Sequence, residues 1–179
     1  IQNRGTIAGN ICNASPAADG VPPLLTLDAE VVIQSAAGQR QVPLQSFITG
    51  PRQIDLRDGE LVTAIHVPAA ATEGQSHFLK LGARAYLVIS IAMTAVRIKV
   101  HDGLVTSAAV AVGACGPRAT RIGTVERALI GAPLDADVIT DDMLADALSP
   151  IDDVRADAAY RLSSAGELLR RTLREMGAP

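Results

Sequence analysis

Residues 88–114 read VISIAMTAVRIKVHDGLVTSAAVAVGA. The stretch is rich in β-branched residues and starts apolar at successive positions. Further on, Arg97 and Lys99 alternate with Val96, Ile98 and Val100. That pattern predicts a strand buried on both faces at its start and on one face at its end. His101-Asp102-Gly103 supplies a turn, and 104–114 supplies the return strand. Just upstream, HFLKLGA (77–83) reads as a third, shorter strand, so the three form an antiparallel meander.

Helical patterns take over after the meander. IGTVERALIG (122–131) ends at a glycine suited to a helix C-terminus. In 133–149, acidic residues come early and Val138, Ile139, Met143, Leu144 and Leu148 supply an apolar face. A last helix is predicted from Ser149 as cap, Pro150 at the first position and Asp152 in a capping-box-like place. Its apolar stripe runs through Ile151, Val154, Ala158, Leu162, Ala165, Leu169, Leu173 and Met176. Strands and helices in separate runs predict an α+β class: a three-stranded antiparallel sheet with a three-helix bundle.

The first part of the chain has a different texture. A short helix is expected within 5–14, and Pro22-Pro23 opens a helical turn at 24–27. AEVVIQS (29–35), the turn AAGQ and RQVPL (40–44) make a hairpin. LQSFITGP (44–51) suggests a short helix, and ELVTAIHVP (60–68) a strand closed by Pro68. The small, polar stretch 69–76 is the expected boundary, dividing the chain into 1–72 and 73–179.

Composition limits the function classes. The 179 residues are 48% hydrophobic and 20% charged, which is globular rather than disordered. Only 2% are aromatic, so the core rests on Ala, Val, Leu and Ile. A formal charge of -3 disfavours nucleic acid as the main partner. No apolar run reaches the roughly 18 residues of a membrane span, and no signal peptide is visible. The first residue is Ile1, so an upstream part of the polypeptide is expected outside this sequence. Cys12 and Cys115 lack metal-ligand spacing and read as reduced thiols of a cytoplasmic protein. His66, His77 and His101 are scattered, and neither a metal site nor a nucleophile–base pair is predicted.

Thr6-Ile7-Ala8-Gly9-Asn10 offers a hydroxyl, an amide side chain and several backbone N–H groups with little bulk between them. If a helix starts there, its unpaired amides suit an anion such as a diphosphate; an ordinary glycine turn before a helix fits the same letters. The flanks add information. NRGTIAGNICNASPAAD (3–19), GPRQIDLRDGELVTAIHVP (50–68), FLKLGARAYLVISIAMTAVRIKV (78–100) and SPIDDVRADAAYRLSSAGELLRRTL (149–173) agree, in order, with one family. The chain resembles the FAD-binding medium subunit of molybdenum hydroxylases, the carbon monoxide dehydrogenase and xanthine dehydrogenase group.

The resemblance implies the C-terminal part of a two-subdomain FAD-binding domain, followed by that family's separate C-terminal domain. Its flavin loop matches Thr6, Ile7, Ala8, Gly9 and Asn10, with Ala8 where the family has a first glycine. Its Asn-Ala-Ser-Pro-x-Ala-Asp matches Asn13, Ala14, Ser15, Pro16, Ala18 and Asp19. A carboxylate suits a polyol hydroxyl and repels phosphate, which places Asp19 on the sugar-alcohol chain; capping of the turn before Gly20 is the alternative. Lys80 matches a lysine near the flavin ring, where a cation stabilises the anionic reduced flavin, or it is a solvated edge-strand lysine. Leu61 and Val62 match an aliphatic position against the flavin, or belong to the core. Arg84 and Tyr86 fall in a loop over the isoalloxazine, where a ring can stack.

By the same resemblance, FAD is the cofactor and no residue of this chain is catalytic. A molybdenum cofactor in a large subunit oxidises substrate, 2Fe-2S clusters in an iron–sulfur small subunit relay electrons, and FAD hands them to a terminal acceptor. The family's earlier glycine-rich loop is not among these residues, so weak FAD binding by this stretch alone is expected. Two other classes remain open: a non-catalytic docking or structural module, and a stand-alone FAD-dependent reductase.

Overall fold

A computed structural model describes residues 5–177. The first part contains α1 (Ile7–Cys12), α2 (Val21–Thr26), β1 (Glu30–Ser35), β2 (Gly38–Pro43), α3 (Leu44–Phe47), β3 (Ile48–Gly50), β4 (Gln53–Ile54) and β5 (Leu61–His66). Strands β2, β1 and β5 form an antiparallel sheet in that order. Val31 and Ile33 point to one face of β1 and are buried with Ile11, Val21, Leu25, Leu44 and Phe47. The hairpin turns between Ser35 and Gly38 as the alternation predicts. The expected helix 44–51 stops after one turn, and Ile48–Gly50 becomes β3, paired with β4.

A 3-10 turn at Ala69–Thr72 leads into the second sheet. Gly74 follows with φ +93, and a Cβ there would lie 2.3 Å from the Ile98 carbonyl oxygen. Only glycine meets both demands. The second sheet is β6 (Gln75–Leu81), β7 (Ala92–His101), β8 (Leu104–Gly113) and β9 (Thr120–Arg121), antiparallel and in sequence order. The predicted meander is therefore present, extended by the two-residue β9. Helices α4 (Gly123–Leu129), α5 (Asp142–Ala145) and α6 (Ala158–Gly177) follow.

The continuous burial at the start of β7 has a simple cause: both faces of the strand are covered. Ala92, Val96 and Ile98 join Val110 and Val112 beneath Ala165, Leu169 and Leu173 of α6. Thr94 meets Thr172 of α6 through their hydroxyls at 3.4 Å. The opposite face meets α2: a Cβ on Gly113 would collide with both Met93 Cε and Pro22 Cγ. Arg97, expected to alternate outward, is buried instead. Its Nε donates to the Thr26 carbonyl at 2.8 Å, and Arg121 Nη1 donates to the Leu25 carbonyl at 2.8 Å. Two cations thus cap the C-terminal end of α2, where the helix dipole is negative.

The start of the last helix differs from expectation. Residues 150–157 form a turn, with Ile151 70% and Val154 99% exposed. Three aspartates account for it. Asp153 Oδ1 accepts from the Arg155 N–H at 2.8 Å and from Arg161 Nη2 at 2.6 Å. Asp152 Oδ1 accepts from the Ala158 N–H at 2.7 Å, and Asp157 Oδ1 caps α6 through the Tyr160 N–H at 2.6 Å. These side-chain bonds compete with a helical backbone and move the cap to Asp157.

Candidate functional site

Thr6 caps α1, its Oγ1 accepting from the Gly9 N–H at 2.9 Å and its carbonyl from the Asn10 N–H at 3.0 Å. A Cβ at Gly9 would lie 3.0 Å from that hydroxyl. The Ile7 and Ala8 amides have no acceptor among the described residues. Of the five residues at this loop, Asn10 departs most from a free ligand contact. Its Oδ1 accepts from the Gly20 N–H at 3.1 Å, which ties α1 to the chain just beyond Asp19. Asn13 is likewise engaged, through Oδ1 and its carbonyl, by the Arg52 guanidinium.

Asp19 lies in the segment between α1 and α2, against the loop that joins β6 to β7. Its Oδ2 accepts from Lys80 Nζ at 2.5 Å and its Oδ1 from Ser90 Oγ at 2.7 Å. Lys80 Nζ also donates to the Val88 carbonyl at 2.9 Å. Lys80 is near the end of β6 and Ser90 lies just before β7, so one carboxylate holds both ends of the intervening loop. That loop carries Tyr86, 83% exposed, and Leu87 with φ +50. Arg84 braces it from within, donating to the Leu87 carbonyl at 2.5 Å. A cavity of about 350 Å³ is lined by Lys80, Gly82, Arg84 and Val88. A second, of about 680 Å³, is lined by Ser15, Pro16, Arg52, Ser90 and Arg161.

Asp19 and Lys80, picked out separately in the sequence, are thus brought together, and α1 is attached to them through Asn10. Val62 is not part of this group: it packs against the first core, while its neighbour Leu61 is 70% exposed on the other face of β5. Alternation along a strand allows only one of the two to face outward. Ser90 was missed in the sequence. Its signal was a lone hydroxyl in the apolar run 88–93, a group that needs a partner once buried.

Other polar groups serve the framework. Arg40 donates to Glu60 and Asp55, both contacts at 2.7 Å, and its guanidinium holds the Glu60 carboxyl down to about 2. Backbone donation from Arg155 and the Arg161 guanidinium hold Asp153 down to about 2. Burial pushes the Cys115 thiol up to about 11 and the Cys12 thiol in the same direction, so neither is an activated nucleophile. His77 pairs with Glu175 at 2.6 Å and His66 with Glu30 at 3.1 Å.

The chemistry of the group is mixed: two amides without an acceptor among the described residues and a hydroxyl at α1, a carboxylate, an ammonium and an exposed ring. Residues 77–176 match the family model described as "CO dehydrogenase flavoprotein C-terminal domain". The chain belongs to that family. Residues 1–70 match a second model, "FAD binding domain in molybdopterin dehydrogenase". Among relatives of this flavoprotein-family chain, the glyceraldehyde dehydrogenase medium chain of Sulfolobus acidocaldarius is 31% identical over 178 residues. That alignment covers 98% of this chain and 63% of the relative. The nicotinate dehydrogenase FAD-subunit of Eubacterium barkeri is 37% identical over 138 residues, covering 75% and 47%. The fold is similar to that of carbon monoxide dehydrogenase from Hydrogenophaga pseudoflava, with a TM-score of 0.89 and 29% identity over 96% of this chain and 60% of that one. The chain therefore spans less than two thirds of the length of these relatives. Among the described residues, no helix is long and apolar enough to cross a membrane.

Proposed function

We propose that this chain forms part of the FAD-binding medium subunit of a molybdenum-containing dehydrogenase, with residues 1–72 in the flavin domain and 73–179 in the C-terminal domain. The observation that carries the proposal is the joining of Asp19 to Lys80, two residues matched to flavin contacts from opposite sides of the boundary. The two family matches, in order along the chain, support it.

When bound, FAD supplies electron storage and transfer. The protein groups bind and orient it. The Ile7 and Ala8 amides, which have no acceptor among the described residues, would donate to diphosphate oxygens. Asp19 has lone pairs to spare beyond Lys80 and Ser90 and would accept from a polyol hydroxyl. Lys80 would supply positive charge to the flavin ring, and Tyr86 would offer an aromatic face. An iron–sulfur small subunit and a molybdenum large subunit are the proposed partners. A cytoplasmic location fits the free thiols Cys12 and Cys115.

The test is to isolate the intact protein with its co-purifying subunits and identify any released flavin chromatographically. One FAD per copy of this chain is expected. A complex that contains this chain and no flavin overturns the proposal.

A further inference from the structure

We infer that Ser90 is a positioning residue for Lys80, acting through Asp19. This rests on the proposal that Lys80 faces a bound flavin. Ser90 is 1% exposed, and its hydroxyl donates to Asp19 Oδ1. Asp19 itself is half exposed, so packing alone does not fix the plane of its carboxylate. The terminal torsion of aspartate is broad. A bond from Ser90 to one oxygen fixes that plane and leaves Oδ2 aimed at Lys80.

The lysine needs such an anchor. Its side chain has several rotatable bonds and a compact charge with no preferred fork geometry. Among the described residues, Asp19 Oδ2 and the Val88 carbonyl are its acceptors. Val88 lies two residues before Ser90, so the bond from Ser90 to Asp19 also steadies the segment that presents this carbonyl. Both anchors of the ammonium thus depend on one buried hydroxyl. Losing it leaves the ion pair formed but loosens its position.

The experiment uses the intact, flavin-loaded complex as wild type, Lys80→Gln, Ser90→Ala and Ser90→Cys, and reads the flavin reduction potential by spectroelectrochemistry. Lys80→Gln lowers the potential, because a cation no longer stabilises the reduced anion. Ser90→Ala is expected to lower it in the same direction by a smaller amount. Should the alanine variant not fold, Ser90→Cys keeps the volume with a weaker donor and is expected to shift the potential likewise. Folded Ser90 variants with wild-type potentials, beside a lowered Lys80→Gln, overturn the positioning role and leave the flavin proposal standing. An unchanged potential in Lys80→Gln overturns the flavin role of Lys80, and this inference with it.

Discussion

The carboxylate of Asp19 holds the ammonium of Lys80 at 2.5 Å, across 61 positions of sequence, and joins the α1–α2 segment to the end of β6. The side chains are 48% and 25% exposed, so water screens the pair. Its contribution to global stability is expected to be small, about 0–1 kcal/mol. Its local effect is larger, because it closes the loop that carries Arg84 and Tyr86. Asp19→Ala should leave the melting temperature nearly unchanged and accelerate tryptic cleavage after Arg84 several-fold. Equal cleavage rates would show that the loop is held by something else.

Arg161 has the opposite character. It is 4% exposed and donates to the Ile91 carbonyl, the Ala114 carbonyl and Asp153. Arg161→Ala strips donors from two backbone carbonyls, one just before β7 and one just after β8. Breaking such a buried network costs about 3–5 kcal/mol. Denaturant unfolding measures this; a loss within experimental scatter contradicts the assigned role.

The start of α6 gives a paired test. Leu169 is fully buried under the second sheet, and Leu169→Ala should cost about 2–5 kcal/mol. Val154 lies in the turn before the helix, and Val154→Ser should stay within about 0.5 kcal/mol of wild type. A large loss in the second variant would place Val154 on the packed stripe after all.

These two residues also mark how far the sequence could be read. Periodicity located Leu169, because the successive turns of a 20-residue helix constrain one another. It failed at Val154, because the three-residue spacing continued by chance into a turn fixed by Asp152, Asp153 and Asp157. The meander was legible because β7 and β8 bury long apolar stretches. Strands β3, β4 and β9 were not, since two or three residues carry no period. At the candidate site, Asp19 and Lys80 stood out only through their flanking motifs. Their meeting is a product of tertiary structure. So is the reversal of Arg97 from a solvent position to a helix cap: the sequence around it does not encode the approach of α2.

Acid sensitivity follows from two carboxyls held low. Glu60, bound by Arg40, sits at about 2 against an ordinary 4.5, and Asp153 at about 2 against 3.8. In each case the folded state favours the ionised form. Their stabilising contribution is therefore complete above about pH 5, and is lost as pH falls from there toward 2. Glu60→Gln should flatten the acid limb of a stability–pH curve. An unchanged slope between wild type and variant would remove Glu60 from the explanation.

Thiol chemistry separates the two cysteines. Cys115 is buried, with its thiol pushed to about 11 and directed at the Arg161 carbonyl at 3.6 Å. Very little thiolate is present at neutral pH, so native alkylation at Cys115 should be slow, and unfolding should release it. Mass-spectrometric mapping of the alkylated positions over time reads this directly; rapid native labelling of Cys115 would contradict its burial.

The FAD affinity of the intact protein, measured by titrating deflavinated wild type and Asp19→Ala side by side, tests most directly whether the α1–α2 segment and its Asp19 carboxylate help to hold the flavin. A folded Asp19→Ala protein that binds FAD at least about tenfold more weakly, a loss of roughly 1.4 kcal/mol, is the predicted result. Equal affinities would contradict it.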